Sequence, residues 1–580
     1  SRGLGDVYNR PNIHWWNEAK KLNYNILIGG SAGQGMDTIS DFLEKSLKKK
    51  GFYVFSNKDY MSRVRGGHNY TQIRFGTDPI YSHANELDLI LALDENTAHL
   101  HINNLKEDGS LILDESINIS DPRAIKLPLI KTATNLGISR GFTSVAAGAV
   151  LKYFSLNGSV DDLFSKKLKE PIRSKNIEAI HLGYDLINSK YKLKGKDLSN
   201  HILINGNNAI ALGAIAGGLD FYSAYPMTPA TSIMTYLSKH QKDVDIVVDQ
   251  AEDEISAINF AIGASYAGAR AMTSSSGGGF SLMVESLGLA GIAEIPLVVV
   301  DSQRPGPATG LPTRTEQSDL SFILSASHGE FPRIVLSVRN AEDAFNQTVK
   351  ALNIADKYQT VVFLLTDQYT ADSNITIPMY DLSKVKIERH VASEKDIASD
   401  EVYKRYKVTE NGISPRLIPG SVKGQVVIID SDEHTEEGHI TEESEVRISQ
   451  MEKRFRKISS IIEDDLQEPE YFGADSIDIL LVGWGSTYGA LRDAVKLLND
   501  SGIKTGALSF GDIYPLPQKK LKEYKEKAKK IINVEQNFTG QFGKLITQET
   551  GILIDYSILK YDGRQIIGSE IADKVKKEAF

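Results

Sequence analysis

"RAMTSSSGGGFSLMVESLGLAGIAEIPLVVVDS", Arg270 to Ser302, holds the fold in miniature. It reads as a strand entering a glycine-rich turn, then a helix, then the apolar run of a second strand. A strand, helix and strand joined so closely form a parallel pair with a crossover helix. The run "IPLVVVD" is continuously apolar, the mark of a strand buried on both faces. The reading therefore predicts an α/β fold with helices on the sheet faces. It also places Ser274, Ser275, Ser276 and Gly277–Gly279 at the C-terminal end of a parallel strand. Hydroxyls and free N–H groups line ligand clefts there, although a turn of this composition also serves as a plain connector.

The same alternation recurs on either side. From about Asn23 to Lys190, "YNILIGG", "FYVFS", "LDLILALD" and "GSLILDE" read as strands and "GQGMDTISDFLEKSLKKK" as a helix after a glycine turn. From Ile202 to Asp372, "DIVVDQ" and "TVVFLLTD" accompany the opening stretch. From Ala474 to Phe580, "IDILLVGWG", "KTGALSF" and "KKIINVEQ" are strands around the helix "GALRDAVKLLNDSG". The expectation is three parallel-sheet α/β domains at 20–195, 200–375 and 474–580. "YKLKGKDLSNH" reads as a linker, and 376–473, where alternation fails, as a linker and irregular segment.

The chain of 580 residues exceeds one core. Its 41% hydrophobic and 24% charged content is that of an ordinary globular protein. A net charge of −9 without a basic block argues against nucleic acid, and no apolar run reaches membrane-spanning length. No secretory signal is visible, so the cytoplasm is the expected location. The absence of cysteine removes disulfides, thiolate nucleophiles and Cys-held iron–sulfur clusters from this chain.

Several motifs invite chemistry. In "AYPMTPATS", Ala224–Ser232, two prolines stiffen the turn that carries Tyr225 and Thr228. In "DQAEDEISAINFAIGASYAGA", Glu252, Asp253 and Glu254 stand at a helix start, where capping explains one or two of them. Glu254 opens a run of small residues that lets other elements approach, so its carboxylate is expected to be partly buried and to need a hydrogen-bonded partner. "SQRPGPATGLPTRTEQSDL", Ser302–Leu320, is a stiff polar loop after a buried strand. Arg304 and Arg314 in it are candidates for carboxylate binding, or solvated surface residues. Gly33 and Gly35 in "GGSAGQG", with Arg63, Arg65 and His68 in "SRVRGGHNYTQIRF", suit an anionic ligand or a tight turn and a basic loop. His434 and His439 in "DEHTEEGH" match no strong zinc pattern, and no metal site is assigned.

Taken together and in this order, "GGSAGQGMDT", "RVRGGHNYTQIRF", "AYPMTPATS", "EDEISAINFAIGASYAGARAMT", "RPGPATGLPTRTEQSDL", "DEHTEEGHITE" and "VEQNFTGQ" resemble the α subunit of 2-oxoacid:ferredoxin oxidoreductases. The likeness is to the form with a γ domain fused ahead of α, 2-oxoglutarate synthase α subunits included. It implies a Rossmann-like γ domain, a domain like those that bind the pyrimidine of thiamine diphosphate, and a transketolase C-terminal-like domain. It implies that Glu254 meets N1′ of the aminopyrimidine and that Thr228 and Arg314, with Tyr225 nearby, hold the 2-oxoacid carboxylate. Ser275 and Ser276 would touch the cofactor, and Gly33, Gly35, Arg63 and Arg65 would receive coenzyme A. The diphosphate, its Mg2+ and a [4Fe–4S] cluster are implied in a separate β subunit, with ferredoxin taking the electrons.

Two departures stand out. Met227 replaces the frequent Ile of the proline turn, and "SSSGGGF" replaces a Thr-Ser-Gly-Pro-Gly-Phe-like turn. The other function classes are a non-catalytic coenzyme-binding scaffold and a transketolase-like carboligase half.

Overall fold

The computed structural model describes residues 23–62, 67–156, 170–397 and 402–578. Three sheets organise the chain. The second sheet carries the opening stretch, and it is built as its apolar runs require. Val247–Gln250, Phe221–Ala224, Ala271–Ser275, Leu297–Gln303, Val361–Asp367 and Ile334–Ser337 lie side by side and parallel. All seven residues of Leu297–Gln303 and of Val361–Asp367 are buried, because helices cover both faces. The third sheet has parallel strands Thr505–Phe510, Ile479–Trp484, Lys530–Glu535 and Tyr556–Leu559. Glu470–Gly473 adds an antiparallel edge to it.

The first sheet departs from the expected parallel arrangement. Asn23–Ser31, Leu87–Ala92, Leu105–Asp114 and Ala124–Leu127 are parallel. His68–Gly76 runs antiparallel to both Asn23–Ser31 and Tyr53–Asp59. "HNYTQIRFG" carries a largely buried strand where a basic loop was expected to dominate. The sheet then continues into chain from elsewhere: Asn374–Pro378 pairs with Tyr53–Asp59, and His201–Asn205 pairs with Asn374–Pro378. The expected linker 191–201 thus runs directly into a sheet strand, and the chain both enters and leaves the second α/β unit through the first sheet.

The segment 376–473 also packs against the second unit. Its helix Ser444–Ser460 buries Lys453 and Lys457 against the carboxylate of Glu294, with Nζ–O distances of 2.6 and 2.5 Å. Two buried cations need that shared anion, so this segment is anchored to the second unit. The two lysines hold Glu294 well below the usual carboxylate range despite its burial. His434 is buried, with its ring centroid 3.8 Å from that of Tyr406.

The second and third sheets share one apolar core in which Ile258, Phe280 and Val335 meet Trp484, Leu508 and Phe510. Among the described residues, no helix is long and apolar enough to cross a membrane. In the first unit, helices Phe142–Tyr153 and Ile172–Asp185 cross at glycines. A Cβ on Gly148 would strike the carbonyl of Ile180, and one on Gly183 the carbonyl of Val145. Gly148→Ala should therefore lower stability by about 1–3 kcal/mol. Gly263→Ala, in a helix with open space at that position, should be neutral or stabilising. Thermal unfolding of both variants checks the contrast.

Candidate functional site

The site forms where the second sheet ends. Asp253 is the N-cap of the helix Glu254–Tyr266, accepting a hydrogen bond of 2.7 Å from the N–H of Ser256. With the cap filled by Asp253 and Glu252 exposed, Glu254 is left to turn inward. It is 3% exposed, and its Oε1 has no hydrogen-bond partner. A buried polar atom without a partner costs roughly 1–3 kcal/mol, so its retention points to a partner that arrives from outside the chain.

The turn above it explains the three glycines. Gly277–Gly279 form the first turn of the helix Gly277–Ile292 instead of a loose loop ahead of it. A Cβ at Gly279 would overlap Ser275 Oγ and Glu254 Oε1, so only glycine lets this helix start seat against the carboxylate. Ser275 and Ser276 are both buried. The Ser275 hydroxyl points to Met227 Sδ at 3.7 Å, and Ser276 Oγ has no partner. The Met227 departure therefore supplies a contact for Ser275. Ser274 faces away from this group and bonds the Tyr222 hydroxyl.

Thr228 is half-buried on the proline turn, with Tyr225 exposed beside it. Two residues outside the turn hold it. Arg304 donates to the Thr228 carbonyl at 2.7 Å, and Asn207 donates to the Pro229 carbonyl at 2.8 Å. Arg304, read from sequence as a candidate carboxylate ligand, thus supports the turn, because its side chain lies beside the Thr228 backbone. Arg314 is nearly buried and ion-paired to Asp59 of the first sheet at 2.7 Å. Its loop is fastened from several sides. Thr313 Oγ1 donates to the Tyr60 carbonyl at 2.7 Å, Gln317 N–H donates to the Gln536 carbonyl at 2.7 Å, and Gln317 Nε2 donates to the Trp484 carbonyl at 2.8 Å. The motifs "LPTRTEQ" and "VEQN" meet here.

Glu254, Ser275, Ser276 and Met227 are brought together on one floor. Gly33 and Gly35 lie elsewhere, at the start of the helix Met36–Lys49 in the first unit, both with positive φ. Arg63 and Arg65 lie outside the described residues. A cavity of about 330 Å3 opens next to that helix start, lined among others by Asp37, Lys58, Asp59, Tyr60 and Tyr70. Among the described residues no group of three or more His, Cys, Asp or Glu side chains is arranged to hold a metal.

Sequence reasoning missed Asp59, Asn207 and a second acidic feature. Asp301, at the end of Leu297–Gln303, is fully buried facing Asp319, and neither of its oxygens finds a donor. Burial and the neighbouring negative charge push Asp301 well above the usual carboxylate range, and burial lifts Asp319 to about 6. No local pattern marks such a pair, since its members are distant in sequence and meet only in the fold.

Three family matches tile the chain. Residues 25–186 match pyruvate ferredoxin/flavodoxin oxidoreductase, and residues 212–453 match its thiamine diphosphate-binding domain. Residues 477–568 match pyruvate:ferredoxin oxidoreductase core domain II. The class is thus that of the thiamine-dependent 2-oxoacid oxidoreductases. The 2-oxoacid:ferredoxin oxidoreductase subunit alpha of Sulfolobus sp is 34% identical, covering 96% of this chain and 97% of that one. The 2-oxoglutarate oxidoreductase subunit KorA of Mycobacterium tuberculosis is 27% identical over 95% of this chain and 90% of its own. A solved structure of 2-oxoglutarate:ferredoxin oxidoreductase from Magnetococcus marinus, with 2-oxoglutarate, coenzyme A and succinyl-CoA bound, superposes with a TM-score of 0.90. It shares 32% identity and covers 97% of this chain and 100% of that one. The chain belongs to the 2-oxoacid:ferredoxin oxidoreductase α-subunit family.

The carboxyl pair yields a test. A carboxyl group raised in the folded state from its usual 3.8 to about 6 contributes stability that is complete below 3.8 and lost as pH rises through about 6. Asp319→Asn should therefore gain in Tm relative to the native protein between pH 4.5 and 7.5. A constant difference across that range would show that the pair does not titrate there.

Proposed function

We propose that this chain supplies one half of a two-chain active site for coenzyme A-dependent oxidative decarboxylation of a 2-oxoacid. In that site it receives the pyrimidine end of thiamine diphosphate and the carboxylate end of the substrate. The observation that carries the reading is the buried, partnerless Oε1 of Glu254 beneath a helix start pared to glycine. Those residues fit the cofactor: an orphaned acidic oxygen suits a ring nitrogen, and the missing side chain at Gly279 keeps that oxygen reachable. Bound there, thiamine would supply the carbon nucleophile and the electron sink for decarboxylation.

The chain's own residues then have defined tasks. Glu254 would hold a proton between its Oε1 and a pyrimidine nitrogen, and its burial would strengthen that bond. Ser275 and Ser276 line the same floor and contact the ring. Thr228, fixed from behind by Arg304 and Asn207, presents its hydroxyl to the substrate with Tyr225 at the mouth. Arg314 pairs with the 2-oxoacid carboxylate, and orientation of the reacting carbon follows.

Coenzyme A is assigned to the cavity beside the helix start that follows Gly33 and Gly35. Asp59 lines this cavity and also pairs with Arg314, so an acyl acceptor in the cavity would lie close to the substrate carboxylate. A β subunit would bring the diphosphate, Mg2+ and the [4Fe–4S] cluster, from which ferredoxin takes electrons in the cytoplasm. Exposed apolar side chains on and around the site, Ile255, Phe260, Leu282 and Leu311 among them, suit cover by such a subunit.

Glu254→Gln in the reconstituted complex should cut turnover by about 10²-fold or more, the scale of a lost acid–base contact. Near-native turnover would remove Glu254 from the chemistry. Arg314→Ala should raise KM strongly for every 2-oxoacid tried, and an unchanged KM would move the carboxylate site elsewhere.

A further inference from the structure

Asp59 is where the three α/β units touch. It ends the strand Tyr53–Asp59 of the first sheet, and its side chain is 9% exposed. One oxygen pairs with Arg314 Nη1 at 2.7 Å, from the loop after a strand of the second sheet. The other pairs with Arg564 Nε at 3.1 Å, from the turn that follows Tyr556–Leu559 of the third. That turn, Asp562–Gly563–Arg564, is itself seated on the Arg314 loop. The Thr315 N–H donates to the Gly563 carbonyl at 3.3 Å, and a Cβ on Gly563 would lie 3.2 Å from Arg314 Cβ.

We propose that Asp59 is a positioning residue for the 2-oxoacid carboxylate: it holds the Arg314 guanidinium in place and sets its charge. This rests on the reading that Arg314 binds that carboxylate. The charge count gives the first reason. One carboxylate between two guanidiniums leaves a single net positive charge, which matches one incoming carboxylate. The neighbouring His68 and His101 add none at neutral pH, since burial pushes both imidazoles down, His101 to about 4. Tyr70, opposite Asp59 in the sheet, is held protonated by burial and by Asp59 itself.

Geometry gives the second reason. The ion pair with Asp59 engages one terminal nitrogen of Arg314, and a planar guanidinium presents more than one edge to carboxylates. Asp59 takes one edge and fixes the plane, leaving another for substrate. A long side chain so held loses its rotamer freedom before substrate arrives, which lowers the entropy cost of binding. The third reason is adjacency. Asp59 also lines the 330 Å3 cavity of the first unit, so the cavity and the Arg314 loop share one anchor.

The test is steady-state kinetics of the reconstituted complex with a 2-oxoacid panel. Asp59→Ala, Asp59→Asn, Asp59→Glu, Arg564→Ala, Arg314→Ala and the Asp59→Ala/Arg314→Ala double variant are compared, each checked for native thermal unfolding. Asp59→Ala and Asp59→Asn should each raise the 2-oxoacid KM about tenfold with a smaller change in kcat, the size of a coupling between charged neighbours in contact. Asp59→Glu should restore part of the loss, and Arg564→Ala should raise KM less than Asp59→Ala. In the Arg314→Ala background, Asp59→Ala should add little.

A KM that is unchanged or falls on loss of Asp59 would overturn the proposal. So would the same rise with Arg314 present or absent. If Arg314→Ala itself leaves KM unchanged, the carboxylate assignment fails first and the role of Asp59 fails with it. If Arg314→Ala raises KM while Asp59→Ala does not, only the coupling fails.

Discussion

A carboxylate oxygen taken out of water needs a partner, and Glu254 Oε1 has none within the described residues. The surrounding structure is arranged to keep it so. Asp253 takes over the capping of the helix start, which frees Glu254 from the amides of its own helix. Gly279 removes the side chain that would collide with it. Ser275 directs its hydroxyl to Met227 and not to Glu254. The strands beneath are buried on both faces, so this arrangement sits on a floor that does not yield.

Around that fixed point, rigidity is imported from neighbouring units. The proline turn carrying Thr228 is held by Arg304 and Asn207. The Arg314 loop is held by Tyr60 of the first unit and by Gln536 and Trp484 of the third. Loops with few contacts of their own open locally at little cost, and ties of this kind raise that cost. A site made from loops of one unit thus gains the precision of a scaffold only when all three units are docked. The mixed first sheet serves the same end. By taking in His201–Asn205 and Asn374–Pro378, it grips the second unit at both of its chain ends.

The buried charges follow a common logic. Glu294 is satisfied by Lys453 and Lys457, which binds the middle segment to the second unit. Asp356 is satisfied by Arg270, Arg389 and Arg416, all within 3.1 Å. Asp301 and Asp319 make no ion pair among the described residues, and burial raises both although the Arg304 charge opposes the rise at Asp319. Removing one partner from a buried pair leaves a charge stranded, which is strongly destabilising.

The α/β class and the three units were legible in the sequence, and local rules also singled out Glu254, Ser275 and Ser276, which the fold brings together. Apolar runs mark buried strands, glycines mark close approaches, and prolines fix a turn. The antiparallel half of the first sheet was hidden, since one of its strands comes from chain beyond residue 370 and no local period records a distant partner. The support role of Arg304, the Asp301–Asp319 pair and the meeting of Asp59, Arg314 and Arg564 were equally invisible. Each is a relation between side chains well separated along the chain. Sequence by itself determined which chemistry-bearing residues the chain owns and which elements carry them. Tertiary structure alone decided which of those residues face one another, because charge pairing and burial act through space and not along the chain.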